Sequence, residues 1–303
     1  MTADSSPTPP TKCSPPGRRY RGWLLLSLLI VAGVIADGSR SVPANPHQPI
    51  LLSGAGSLAT ADSALVRVAT FNIHSGRGSD RRSDLSRTAH VFTTPPDILG
   101  LNEVRGSLFP GVWPDQATQL GQLLKLSSAF VPTERRWWHD DFGNGLLSRF
   151  PLDQIQKIPL SGRRGKAFRC AILARFPIQD KTVQLLAVHV DSQADREQQL
   201  GEILALFEGL RPPALLIGDL NSTADDPQMK KLLDKPEIVD PLQDSPPDAR
   251  GRKHIDWILA RGFRCRSGLL IQNDASDHPA AYAELELERS TTAQEVTPDH
   301  DLR

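Results

Sequence analysis

Ala214-Leu215-Leu216-Ile217-Gly218-Asp219-Leu220-Asn221 is the stretch of this chain whose reading decides its fold. Four apolar residues behind Pro212-Pro213 read as a short, buried strand. A carboxylate and an amide two residues apart stand at its exit. Further along, Ser276-Asp277-His278-Pro279 sets an acid beside an imidazole, just before the alternating run Ala281 to Leu287. One strand end with Asp and Asn, and another with Asp-His, is what metal-assisted attack on a phosphate ester requires. Histidine moves protons, and carboxylates hold Mg²⁺ or activate water.

Working outward, Val66 to His74 alternates apolar residues at period two, as in a half-buried strand. Ile98-Leu99-Gly100-Leu101 follows Pro95-Pro96-Asp97 and ends at Asn102-Glu103. Arg77 to Arg87 reads as a polar loop or helix start. Asp115 to Leu126 carries Leu120, Leu123 and Leu124 at helical spacing. Strands are expected near Ser128 to Pro132, Gly145 to Ser148, Gln154 to Leu160, Phe168 to Phe176 and Val183 to Val190. Three more are expected at Ile255 to Leu259, Leu269 to Gln272 and Ala281 to Leu287. A helix from Asp195 to Leu210 shows Leu200, Ile203, Leu204 and Phe207 on one stripe, and a short one is expected near Pro227 to Leu233. Many strands with few amphipathic helices predict two packed sheets with helices outside. Asn72, Glu103, His189, Asp219, Asp256 and His278 all fall at or near strand ends, so the ends are expected to converge on one cleft.

The 35 basic and 35 acidic residues cancel, so no global positive field marks a nucleic-acid binder, although a local patch would suffice. Four regions are expected: a start at 1–36 with a signal or anchor, a linker at 37–65, a catalytic domain at 66–289 and a disordered tail at 290–303. The first 16 residues are Ser/Pro/Thr-rich and expected to be disordered. Arg18-Arg19-Tyr20-Arg21 then precedes the apolar run Trp23 to Ala36, 14 residues long. Basic residues before such a run make a secretory signal, with Val34-Ile35-Ala36 as a cleavage region. The run is shorter than the ~20 residues of a spanning helix; an uncleaved membrane anchor is the competing reading. Arg18-Arg19 hints weakly at twin-arginine export. The expected location is secreted, periplasmic or membrane-anchored, with the catalytic domain outside the cytoplasm. Of the three cysteines, Cys13 precedes the signal. Cys170 and Cys265 lie in expected strands, as buried free thiols or, less favoured, a pair. No Cys/His cluster suggests zinc.

Read singly, these residues are ordinary. An Asn in a strand is usually a turn or surface residue, a Glu after a strand is solvated, Asp-x-Asn is turn or cap chemistry, and Asp256 would be an edge residue facing water. Together and in order, Thr70-Phe71-Asn72, Leu101-Asn102-Glu103, Gly143-Asn144-Gly145-Leu146-Leu147-Ser148-Arg149, His189-Val190, Gly218-Asp219-Leu220-Asn221, Ile255-Asp256-Trp257 and Ser276-Asp277-His278 resemble the endonuclease/exonuclease/phosphatase superfamily, with its deoxyribonuclease-I-like fold. The resemblance runs from about Val66 to Glu288.

It implies an α+β four-layer α/β/β/α sandwich of two packed mixed sheets with outer helices. It also implies Mg²⁺-dependent cleavage, with Mn²⁺ as an alternative ion. Glu103, Asn72 and Asp277 match metal-side positions. Asp219 matches the residue that positions or deprotonates water, and Asn221 the amide offered to a phosphoryl oxygen. His278 would touch the scissile phosphate, with Asp256 fixing its tautomer. His189 would bind phosphate or protonate the leaving oxygen, and Asn144 would orient that histidine. Arg169 falls where many members place a cleft arginine. His74, His90, His139 and His254 lie outside the motif set and are read as surface or local hydrogen-bonding residues.

The short stretch from Asp240 to Lys253 suggests a minimal catalytic body. Glu134-Arg135-Arg136-Trp137-Trp138-His139 would stack on bases or sit at a lipid interface, or simply form a strand. Arg163-Arg164-Gly165-Lys166 reads as a hairpin tip, either solvated or facing phosphate. The partners expected are a phosphate-ester substrate, nucleic acid or phospholipid head group, and a membrane if the N-terminal segment is uncleaved. The chain is expected to be a monomer. An exported phosphodiesterase leads, ahead of a lipid-directed hydrolase of the same superfamily and a catalytically inactive binding module.

Overall fold

A computed structural model describes residues 17–37, 40–41, 63–107, 113–136, 141–162, 168–247 and 253–288. The start and tail expected to be disordered, most of the linker, Trp137-Trp138-His139 and Arg163-Arg164-Gly165-Lys166 lie outside the described residues. The elements, in chain order, are α1 (Gly17–Asp37), β1 (Arg40–Ser41), β2 (Leu65–Asn72), a 3₁₀ turn (His74–Gly76), α2 (Leu85–His90), β3 (Ile98–Arg105), α3 (Gln116–Leu124), β4 (Ser127–Arg136), β5 (Phe142–Ser148) and β6 (Asp153–Pro159). They continue with β7 (Cys170–Ile178), β8 (Lys181–His189), α4 (Arg196–Gly209), β9 (Ala214–Asp219), α5 (Pro227–Leu233), β10 (Asp256–Arg261), β11 (Phe263–Ile271) and β12 (Ala280–Leu287).

The period-two pattern of β2 sorts its side chains into two cores. Val66 and Val68 join a cluster between the sheets, with Ile98, Ile172, Leu215 and Ile217. Ala69 and Phe71 point the other way, to a cluster with Leu99, Leu101, Leu120 and Leu147. The apolar run of β9 divides in the same way. Leu215 and Ile217 face the first sheet, while Leu216 packs outward with Leu200, Ile203, Phe207, Met229 and Trp257. A strand buried on both faces has to be apolar throughout, and burying each such large side chain stabilises the fold by about 1.5–3 kcal/mol.

Three apolar layers therefore separate four structural ones. The first sheet runs β1-β4-β5-β3-β2-β12-β11, and the second β10-β9-β8-β7-β6. β2/β3 and β8/β9 are parallel and the other pairs antiparallel, so both sheets are mixed. Helices α2 and α3 cover the first sheet and α4 and α5 the second, the α/β/β/α sandwich expected. Side chains fix several boundaries. Asp84 accepts hydrogen bonds from the Ser86 and Arg87 N–H groups and starts α2 at Leu85. Arg261 Nη1 donates to the carbonyls of Phe207, Glu208 and Leu210, closing the end of α4.

Two expectations need correction. β11 begins at Phe263, well before Leu269. It is an edge strand whose residues Arg264 to Ser267 are exposed, so charge replaces the apolar pattern there. Cys265 stands in that exposed stretch, not in a core, while Cys170 is buried; both thiols are free. The N-terminal apolar run lies within the 21-residue α1, where Trp23 to Leu26 and Leu28 to Val31 are exposed. Among the described residues no helix is long and apolar enough to cross a membrane.

Candidate active site

The site begins where β9 ends. Gly218 adopts φ +140°, a region closed to side chains, and a Cβ there would overlap the Val188 carbonyl of neighbouring β8. This close approach delivers Asp219 to the end of the sheet at 1% exposure. His189 stands opposite Asp219 on β8, and Asp256 opposite it on β10. Three polar residues thus line up across three neighbouring strands. Asn221 turns sharply at φ +48°, and its N–H donates to Asp219 Oδ1 at 2.9 Å.

The first sheet brings the other half. Asn72 Nδ2, at the end of β2, donates to Asp219 Oδ2 at 3.1 Å and to Glu103 Oε1 at 3.4 Å. Glu103 sits at φ +59°, inside a register shift of β3 against β5 between Leu101 and Val104. Such a bulge re-aims the side chain. The loop between β11 and β12 supplies His278, whose Nδ1 lies 2.8 Å from Asp256 Oδ2 and 3.9 Å from Asp219 Oδ2. Asn273 frames this loop, bonding Ile271 O, His278 O and the N–H groups of Ala275 and Ser276. Ser276 Oγ ties it to Asn72 O at 2.6 Å.

Electrostatics separate the groups. Burial, then the neighbouring Asp256 charge, pushes the Asp219 carboxyl up to about 7. Burial alone would lower His278. The hydrogen bond and charge of Asp256, then the charges of Asp219 and Asp277, outweigh it and raise the imidazole to about 9. His189 is driven well below the usual histidine range by burial, then by Arg169 and His278. A protonated His278 and a neutral His189 thus flank one buried carboxyl. His189 Nε2 is 3.6 Å from Asp219 Oδ2, and its Nδ1 is buried with no partner among the described residues. Arg169 Nε is likewise buried and unpartnered there.

The structure brings together Asn72, Glu103, His189, Asp219, Asn221, Asp256, Asp277 and His278, with three changes of detail. Asn72 spends part of its amide on other groups of the site. Its Oδ1 accepts from the His74 N–H and its amide nitrogen faces two carboxylates, which only a donor satisfies. Asn144 does not bond His189; it donates to Cys170 O at 3.2 Å and accepts from Asn102. The Asn221 amide already donates to Val190 O at 2.9 Å, leaving one N–H for any ligand.

Two of the histidines read as surface or local hydrogen-bonding residues border the site. His74 Nδ1 lies 3.5 Å from Asp277 Oδ1. His254 packs against Trp257 with ring centroids 4.3 Å apart and lines a cleft of about 530 Å³ beside His278. Asn102 and Ser276 were visible within their motifs, but nothing local marked them as buried hydrogen-bonding hubs.

Asp219, Asp256 and His278 place ligand atoms within 4.8 Å of one another. A metal at this group would have to displace the proton that joins His278 to Asp256, and a protonated imidazole is no ligand. Glu103 and Asp277 suit a cation better. Both offer hard oxygens, and the Asp277 side chain is 60% exposed. Mg²⁺ keeps several waters and is commonly held by one or two carboxylates, so this donor set fits it.

The sequence profile of the Endonuclease/Exonuclease/phosphatase family matches residues 69–278. Enzymes of that family are typically divalent-metal-dependent hydrolases of phosphoester bonds. No curated protein matches the chain. Its fold is similar to that of an endonuclease/exonuclease/phosphatase from Beutenbergia cavernae DSM 12333, at TM-score 0.60 and 22% identity over 74% of this chain and 72% of that one. A family protein from Leptotrichia buccalis C-1013-b gives TM-score 0.60 and 12% identity, over 73% of this chain and 100% of that one. The human Nocturnin catalytic domain with bound sulfate anion gives TM-score 0.54 and 17% identity, over 78% and 97%. Two packed sheets, seven motifs in order and a profile match across most of the chain agree: this protein belongs to the endonuclease/exonuclease/phosphatase family.

Proposed function

We propose that the protein is a Mg²⁺-dependent phosphodiesterase that cleaves by in-line attack of water. The observation that carries this reading is the convergence of His189, Asp219 and Asp256 across three neighbouring strand ends with His278 beside them, an arrangement that raises the buried Asp219 carboxyl toward neutrality between a raised His278 and a lowered His189. Titratable groups whose environments push them apart mark acid and base assignments. Ionised Asp219, held by Asn72 and Asn221, takes a proton from the water whose oxygen attacks phosphorus. Asp256 holds His278 by Nδ1, which leaves Nε2–H to donate to a phosphoryl oxygen as charge builds there. Glu103 and Asp277 would hold the cation, which when bound screens charge on the phosphoryl and departing oxygens. The half-buried Arg169 adds positive potential, and the buried His189 a neutral imidazole opposite Asp219 on β8.

The reading extends to export or membrane anchoring and a monomeric state. Export or anchoring is supported by Arg18, Arg19 and Arg21 ahead of the exposed apolar residues of α1. Phosphodiesters outside the cytoplasm, in nucleic acid or small molecules, are the substrate class this favours.

The pH–rate profile tests the assignments. Asp219 must be ionised, so kcat/KM should rise through about pH 7; His278 must stay protonated, so it should fall above about pH 9. Asp256→Asn removes the bond and charge that raise His278, and the falling limb should move to lower pH. An unchanged alkaline limb in that variant would contradict the His278–Asp256 assignment. The metal assignment is tested by Glu103→Gln. The Mg²⁺ concentration for half-maximal turnover of bis-p-nitrophenyl phosphate should rise about tenfold or more. A wild-type Mg²⁺ dependence in that variant would remove Glu103 from the cation site.

A further inference from the structure

Asn102 is 2% exposed and lies on β3, immediately before Glu103. Its Oδ1 accepts from the backbone N–H of Asp219 at 3.0 Å. Its Nδ2 donates to Val188 O at 2.9 Å and to Asn144 Oδ1 at 3.3 Å. Both amide hydrogens and one carbonyl lone pair are therefore used. Its backbone carbonyl also accepts from the Ile73 N–H at 3.1 Å, which ties in the end of β2.

These partners span the two sheets. Asn102 belongs to the first, whereas Val188 and Asp219 belong to the second, and Val188 directly precedes His189. Asn144 reaches on to Cys170 O, beside Arg169. Beyond these and the Asn72–Asp219 bond, the contact between the sheets is largely apolar packing among residues such as Val68, Ile98 and Ile217. Such packing is non-directional and leaves small slides cheap, whereas a hydrogen bond fixes distance and angle. Glu103 also stands inside the β3 register shift, so the β3–β5 ladder alone does not set its position.

We infer that Asn102 is a positioning residue: by bonding the backbone of the second sheet it sets, with the Asn72 bridge, the gap between Glu103 and Asp219. The inference rests on the phosphodiesterase reading, in which Glu103 holds the cation and Asp219 takes the proton of the attacking water. A misplacement of about 1 Å between such groups costs about a hundredfold in rate.

The test compares the full-length chain with Asn102→Ala, Asn102→Asp and a stability control, Leu200→Ala, which opens a cavity in the α4-side core. Turnover of bis-p-nitrophenyl phosphate with Mg²⁺ gives kcat and KM. Electron paramagnetic resonance gives Mn²⁺ affinity without substrate, and thermal melts give Tm. For Asn102→Ala, kcat should fall about a hundredfold while KM and the Mn²⁺ Kd stay within about threefold. Leu200→Ala should lose comparable Tm yet keep kcat. Asn102→Asp retains the acceptor for the Asp219 N–H but loses both donated bonds, and should lose about tenfold in kcat. It carries the test if the alanine variant does not fold.

Wild-type kcat in both Asn102 variants, or a Leu200→Ala loss of kcat matching theirs, overturns the inference alone. A kcat loss accompanied by loss of Mn²⁺ binding also overturns it, because the cation site itself would then have collapsed. Absence of metal-dependent turnover in the wild-type chain overturns the phosphodiesterase reading, and the inference with it.

Discussion

Asp219→Asn is expected to lose about a thousandfold or more in kcat while becoming more stable. A positioned general base contributes about 10²–10⁴-fold, and an amide takes no proton from water. The stability change follows from the raised carboxyl. Asp219 titrates near 7 in the fold and near the ordinary carboxylate value of about 3.9 in the unfolded chain. Ionisation is therefore easier after unfolding, and the wild type loses stability as pH rises from about 4 to about 7. The asparagine variant does not titrate there, so its advantage should grow over that window and then level off. Across the window the wild type gives up about 1.4 kcal/mol for each pH step of one. Against this, Asp219 accepts from both Asn72 and Asn221, and an amide has only one oxygen, which costs about 1 kcal/mol. The net gain should be on the order of 1–3 kcal/mol at about pH 8, or several degrees in Tm. Thermal melts at about pH 5 and pH 8 check both sign and window. A variant less stable than wild type at the higher pH would show that Asp219 is not held under strain.

Gly218→Ala should have the largest effect on the fold. The added Cβ would overlap the Val188 carbonyl oxygen and stand 2.8 Å from the Val188 carbonyl carbon, at φ +140°. Both neighbours are backbone in a central parallel pair, so no side chain can swing aside. β8 and β9 would have to separate where His189 faces Asp219. A cost above about 3 kcal/mol is expected, combining backbone strain with lost packing, and a Tm lower by about 10 °C. Gly209→Ala is the matched control. It lies at the end of α4, where an added Cβ meets nothing within 4 Å, and it should gain about 0.5–1 kcal/mol. Circular-dichroism melts of the two variants measure the contrast; a Gly218→Ala protein that melts with the wild type would mean that β8 and β9 do not approach this closely.

The strands were legible where burial imposes a pattern. The unbroken apolar run of β9 is buried on both faces, and the alternation of β2 splits between two cores. Asp219 and Asp256 were legible because each stands at the end of such a strand and His278 because it lies just before one, and strand ends of two stacked sheets meet. What escaped reading depends on distances across the sheets. Whether Asn72 turns its oxygen or its nitrogen toward Glu103 depends on the carboxylate of Asp219, 147 residues away in sequence. The three bonds of Asn102 and the engagement of Asn144 with Cys170 have the same origin. His74 read as a surface or local hydrogen-bonding residue because its contact with Asp277 lies across the fold, reached from a left-handed turn at φ +46° whose N–H donates to Asn72 Oδ1. The first half of β11 was hidden because an exposed edge strand has no apolar face to display.

Hydrolysis of bis-p-nitrophenyl phosphate at about pH 8, between the limbs expected for Asp219 and His278, is the most direct test of the central claim. Wild type and Asp219→Asn would be compared with Mg²⁺ and with EDTA, both checked by thermal melt. Turnover in the wild type with Mg²⁺, abolished by EDTA and reduced about a thousandfold or more in a fully folded Asp219→Asn protein, is the result predicted. Turnover that persists in EDTA, or an Asp219→Asn protein as active as the wild type, would contradict a metal-dependent reaction built around the end of β9.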